Sequence, residues 1–215
     1  MNGLPDVERD YRGELVRKGI HLCSLSIPIG YALLGRSTVL SILIPVTLLF
    51  LMTDLARLFS PPFREFYHST FGWLMREHER GPGRRNLNGA SYVLVAACIC
   101  ILVFPMIIAI TAFSILIVSD TAAALVGRRF GKRKFLAKSV EGSLGFFLSA
   151  VVVVLLSPKA GLGWTEYLIG ATGAAAGTVV EALPIALDDN LTIPLSVGVV
   201  MYLLYLMLFP SASFY

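Results

Sequence analysis

Long apolar runs alternate along this chain with short polar segments that are mostly cationic. The runs cover residues 19–35, 37–55, 89–104, 105–127, 142–157, 166–187 and 191–209, each 16 to 23 residues long. About 20 residues of helix, rising 1.5 Å each, cross a bilayer core of about 30 Å. The pattern predicts an all-α polytopic membrane protein of about seven transmembrane helices, with 89–104 and 142–157 short for the task. Residues 1–215 read as one integral membrane catalytic domain, without a long linker, soluble domain or clear internal repeat. The first ten residues lack a basic n-region, so the first span is expected to be retained.

The polar segments set an orientation. Sixteen of the eighteen Lys and Arg residues fall in the amino-terminal segment, the segment 56–88 and the loop 128–138; only Arg36 and Lys159 lie in the alternate loops. The positive-inside rule then places the amino terminus and both basic loops in the cytosol and the carboxyl terminus outside. Composition agrees with a membrane protein: 56% of residues are hydrophobic, 15% are charged and mean hydropathy is +0.74. The pI near 9.1 reflects cytosolic loops near anionic lipid and does not argue for a nucleic-acid partner. The expected location is a bacterial or archaeal cell membrane, or an ER-type membrane in a eukaryote.

On this map the acids gather at one interface. Asp54 closes the second span, Asp120 lies in the cytosolic half of the fourth, Glu141 opens the fifth, and Glu181, Asp188 and Asp189 cluster around the end of the sixth. Glu166 alone lies clearly outside. A transporter places ionisable groups near the midplane; acids at one face suit chemistry between a cytosolic reagent and a lipid. A carboxylate in an apolar helix costs about 2.5–3.5 kcal/mol on insertion scales, so Asp120 requires a cation, either Lys/Arg or a metal.

A basic loop punctuated by Gly127 and Gly131 follows Asp120, and its six cations (Arg128, Arg129, Lys132, Arg133, Lys134, Lys138) suit a polyphosphate. It is not a Walker A loop, which needs four residues between its glycines and Ser or Thr after the lysine; here there are three, and Arg133 follows Lys132. Ala123, Ala124 and Gly127 mark a close helix–helix contact, and Gly170, Gly173 and Gly177 give the sixth span a thin side. Arg17 and His21 share a helix face beside Lys18; they hold phosphate or anchor the helix end, with His21 a base, a donor or a buried structural histidine. Asn190 is expected to cap the last span, and Asp188 and Asp189 beside Glu181 exceed what a cap requires. Cys23, Cys98 and Cys100 have no CxxC spacing. The segment 61–77 reads as an interfacial helix and 80–88 as a flexible basic loop.

Three separated blocks carry a family resemblance: Arg17-Lys18-x-x-His21; Asp120-x-x-Ala123-x-x-x-Gly127-x-x-x-Gly131 with Lys138-Ser139-x-Glu141-Gly142; and Glu181 with Asp188-Asp189-Asn190 and Pro194. Together they resemble the CTP-using lipid-alcohol kinases: dolichol kinase, phytol kinase and CTP-dependent diacylglycerol kinase. The resemblance implies phosphoryl transfer from CTP to a lipid hydroxyl with Mg²⁺ or another divalent cation. Asp120, Glu141 and Asp188 are then expected at the metal. Arg17, Lys18, Gly127, Gly131, Lys132, Lys138, Ser139 and Asn190 are expected at the nucleotide. Asp120, Glu141, Glu181, Asp188, Asp189 and His21 are the expected catalytic groups, with Glu181, Asp188 or Asp189 accepting the hydroxyl proton.

The central block also resembles the phosphatidate cytidylyltransferases, a distant relation. Those carry Lys-Thr-x-Glu-Gly where this chain has Lys138-Ser139-Val140-Glu141-Gly142, and a His-Gly-Gly signature absent here, since no His follows His78. A small transporter is the third reading. Diacylglycerol, polyprenol and phytol each offer one hydroxyl on an apolar tail, so the acceptor and the oligomeric state stay open.

Overall fold

The computed structural model describes residues 16–71 and 87–210. The first helix, α1 (16–23), ends in a turn where the amides of Ser24 and Leu25 donate to the carbonyls of His21 and Leu22. Helix α2 (Ser26–Phe59) follows, and together they form the apolar stretch Val16–Phe59. Gly35 interrupts α2 at φ 77° and ψ 172°, a conformation open to glycine and strained for other residues, at the boundary expected between 35 and 37. Short α3 (Pro61–Phe71) comes next, within the segment expected to be an interfacial helix.

Helix α4 (Gly89–Val103) starts at Asn88, whose side chain accepts from the amide of Ala90. Helix α5 (Met106–Phe130) leads into a minimal hairpin of β1 (Lys134–Phe135) and β2 (Lys138–Ser139), then α6 (Val140–Leu156), α7 (Thr165–Ala182) and α8 (Asp189–Leu208). Three stretches, Val16–Phe59, Met106–Phe130 and Asp189–Leu208, are long and apolar enough to cross a membrane; Gly89–Val103 and Val140–Leu156 are shorter apolar helices. The described residues are thus all-α apart from the hairpin. Helix α7 stops at Ala182, short of the expected 187, because Leu183 precedes Pro184 and takes the extended backbone that position favours.

Central α5 packs against α2, α4, α6, α7 and α8. Its inner positions, including Ile108, Ile115, Leu116 and Ile117, are fully buried, while Leu33, Leu144, Leu148 and Leu156 on surrounding helices point outward. Small residues set the spacing. A Cβ at Gly170 would lie 2.4 Å from Val154, one at Gly177 would lie 2.7 Å from Val197, and one at Gly198 would lie 2.3 Å from the Phe104 ring. Without a strong hydrophobic force between helices in lipid, such close approaches supply the packing.

Buried ion pairs and hydrogen bonds tie the two ends of the bundle. Asp54 accepts from Ser91 Oγ (2.6 Å) and the Asn88 amide (2.7 Å), and pairs with Arg57 (3.2 Å). Arg57 also lies over the Tyr67 ring, whose hydroxyl accepts from Asn88 Nδ2. This clasp joins α2, α3 and the start of α4. At the opposite end of α7 from Glu181, Glu166 is 1% exposed and accepts from the amides of Ala160 and Leu162 and the Tyr205 hydroxyl. Its carboxylate holds the α6–α7 loop against α8.

Candidate functional site

At the end of the bundle where α5 finishes and α6 begins, side chains from five segments converge. Lys18 on α1 donates to Asp120 Oδ2 on α5, 102 residues away, and His21 Nε2 lies 3.7 Å from the same oxygen. Lys18 and Asp120 are both buried, which answers the requirement for a cation beside Asp120. Arg17 is half-buried on the same helix.

Lys138 on β2 bridges two more acids. Its Nζ lies 3.0 Å from Asp189 Oδ2 at the start of α8 and 3.4 Å from Glu181 Oε1 at the end of α7. Burial alone would lower the Lys138 pKa, but the carboxylates of Asp189, Glu181 and Asp120 outweigh it and hold the ammonium above the ordinary lysine value. Asp120 therefore belongs to the same electrostatic cluster as Glu181 and Asp189.

The hairpin delivers Lys138 to this position. Leu136 takes a left-handed φ of 51° in its two-residue turn, and the Ala137 amide donates to the Ala182 carbonyl at the end of α7. Ser139 caps α6 by accepting from the Gly142 amide (3.1 Å). The same hydroxyl fills the space beside three glycines: a Cβ would lie 3.2 Å from it at Gly127, 2.8 Å at Gly131 and 3.0 Å at Gly142. The glycines thus seat Ser139 and bring α5 against α6, the close helix contact expected from Ala123 and Gly127. Lys132, Arg128, Arg129, Arg133 and Lys134 are exposed around the hairpin.

Several expected site residues are bound up locally. Glu141 accepts from the amides of Lys132 (3.1 Å) and Arg133 (3.3 Å), closing the basic loop onto α6. Asp188, not Asn190, caps α8: its Oδ1 accepts from both the amide and the Nδ2 of Asn190, because the helix begins two residues earlier than the apolar run suggests. Asp120, Glu141 and Asp188 are therefore not assembled as one donor set. Among the described residues no group of three His, Cys, Asp or Glu side chains is arranged to hold a metal ion.

Sequence reasoning placed Asp54 with the acids of this face, and the structure spends it on the clasp. It passed over Ser143, a buried α6 hydroxyl whose only sequence signal is its position one turn beyond Ser139. The amino-terminal cations Arg9 and Arg12, and Arg76, His78, Arg80, Arg84 and Arg85 of the second basic segment, lie outside the described residues.

No family model and no solved structure matches the chain. Among known proteins, it is 31% identical over 190 residues to an uncharacterised protein of Rickettsia prowazekii, covering 87% of this chain and 92% of that one. It is 30% identical over 171 residues to a Schizosaccharomyces pombe protein named CTP-dependent diacylglycerol kinase 1, covering 70% of this chain and 74% of the yeast protein. A Glycine max protein named probable phytol kinase 2, chloroplastic, is 34% identical over 134 residues; the match takes in 55% of this chain and 46% of the plant protein.

Proposed function

The chain belongs to the family of CTP-dependent lipid kinases, and we propose that it moves the γ-phosphoryl group of CTP to the hydroxyl of a membrane lipid alcohol at the cytosolic face. The observation that carries this reading is the convergence of Lys18, His21, Asp120, Lys138, Glu181 and Asp189 at one end of an apolar bundle. A lipid hydroxyl at the interface and a water-soluble nucleotide can meet there without either crossing the bilayer.

Phosphoryl transfer demands positioning and charge neutralisation more than covalent chemistry. Lys18 is the buried cation of the cluster and Lys138 its more exposed one, with Arg17 beside the first and Lys132 in the loop that leads to the second. These four would hold the phosphates, with the last turn of α5 from Gly127 to Gly131, Ser139 and Asn190 shaping their surroundings. The divalent cation expected with the triphosphate would arrive as part of the nucleotide, with Asp120 the one member of the expected trio that remains in the cluster. A divalent cation held there would supply positive charge to offset that of the phosphates.

About seven crossings with a cytosolic amino terminus fit the distribution of cations. The break at Gly35 would divide the first stretch into two crossings, 19–35 and 37–55. The acceptor is a single-hydroxyl lipid such as diacylglycerol, a polyprenol or phytol.

The test supplies the protein in lipid nanodiscs with CTP or ATP and each alcohol in turn. Formation of a phosphomonoester from one alcohol, with CTP preferred over ATP, supports the reading. Equal use of both nucleotides removes the assignment of CTP as donor.

A further inference from the structure

Most of the hydrogen-bonded serines and threonines in these helices donate back to a carbonyl one turn earlier: Thr111 to Ile107, Thr121 to Ile117, Ser149 to Gly145, Thr178 to Ala174. Ser143 does not. Its Oγ is buried and has no hydrogen-bond partner among the described residues, and the same holds for Glu181 Oε2. Ser143 is 6% exposed and Glu181 4%, so bulk water does not satisfy either group. A buried polar atom left open costs about 1–3 kcal/mol, and two at one site call for an occupant.

The helix register brings the two residues to the same end of the α6–α7 contact. Helices α6 and α7 run antiparallel, since Gly170 meets Val154 and Gly177 meets Phe146. Ser143 lies three residues before Phe146 and Glu181 four residues after Gly177, so each sits one turn from that contact on the same helix face. Both displacements lead to the end that holds Lys138, and the hairpin closes over it through the Ala137–Ala182 hydrogen bond.

We infer that Ser143 and Glu181 form the subsite for the acceptor hydroxyl, with Ser143 holding that hydroxyl by a hydrogen bond and Glu181 taking its proton. The assignment rests on the kinase reading and narrows it. Asp188 is committed to capping α8, and Asp189 presents a more exposed carboxylate already bonded to Lys138. Glu181 keeps one oxygen on Lys138 and leaves the other open.

In the step, the lipid oxygen forms its bond to the γ-phosphorus as the bond from that phosphorus to the β-phosphate bridging oxygen breaks. CDP leaves with the bonding pair. The hydroxyl proton passes to Glu181 Oε2 and is lost to water once the lipid phosphate departs.

The test compares the parent protein in nanodiscs with Glu181→Gln and Ser143→Ala, measuring kcat, KM for the lipid alcohol, KM for CTP and equilibrium CTP binding. Loss of a general base lowers rates by about 10²–10⁴. Glu181→Gln is expected to reduce kcat at least about 100-fold with KM for CTP within about twofold of the parent. Ser143→Ala is expected to raise KM for the alcohol about tenfold without moving KM for CTP, and Ser143→Thr to restore it. Should Glu181→Gln fail to bind CTP, Glu181→Asp takes its place, with a loss in kcat of more than about tenfold expected.

A parent that phosphorylates lipid, with both Glu181 variants within about threefold of it, overturns the subsite and leaves the kinase reading standing. A parent that binds CTP and phosphorylates no lipid overturns both.

Discussion

Lys18 and Asp120, separated by 102 residues, form a buried ion pair that ties the first helix to the centre of the bundle. Removing one partner of such a pair strands a charge and costs about 3–5 kcal/mol. Asp120→Asn and Lys18→Met should each lower stability by that order, seen as a reduced melting temperature in nanodiscs. The double variant should recover much of the loss, yet remain inactive. A double variant as unstable as the sum of its parts would show that the two groups do not act as a pair.

Asp54 should matter for folding and not for substrate. Asp54→Ala leaves Arg57, Ser91 Oγ and the Asn88 amide without their shared acceptor. We expect a loss of about 3–5 kcal/mol, with KM for CTP and lipid unchanged in the fraction that folds. A selective rise in KM for CTP would instead bring Asp54 into the site.

Gly142 is a close point between α5 and α6: an added Cβ would sit 3.0 Å from Ser139 Oγ and 3.2 Å from the Ala123 carbonyl. Gly142→Ala should therefore displace Ser139, cost about 1–3 kcal/mol, and reduce turnover because β2 carries Lys138. Gly19→Ala, in a helix with open space around it, should not lower the melting temperature.

Lys138 gives a prediction in pH. Its folded pKa is raised, so the stabilisation from its pairs is complete below the unfolded lysine value and is lost only as pH rises through the folded value. The difference in melting temperature between parent protein and Lys138→Gln should be constant from pH 6 to 9 and shrink in strong alkali. Shrinkage already below pH 9 would contradict the pairing.

The helices were legible because apolar runs of this length have few alternatives. The runs at 89–104 and 142–157 match α4 and α6 to within two residues at each end, and the break expected near Gly35 appears as its positive φ. The convergence of the acids was legible in part. A charge pattern shows which groups share an end of the bundle but not which hydrogen bonds each makes, so Asp188 and Glu141 looked equivalent to Asp189 and Glu181. Only the geometry separates carboxylates committed to backbone amides from those gathered on Lys138. Ser143 was invisible for the same reason: its interest lies in a partner it lacks among the described residues.

Transfer of the terminal phosphoryl group of CTP to lipid underlies every role assigned above. Its most direct test is CTP labelled at either the α- or the γ-phosphorus, given to the protein in nanodiscs containing magnesium, lipid alcohols and phosphatidic acid. A kinase of this kind puts label from the γ position into a lipid phosphomonoester and none from the α position. Label from the α position entering lipid would mean cytidylyl transfer and contradict the kinase reading.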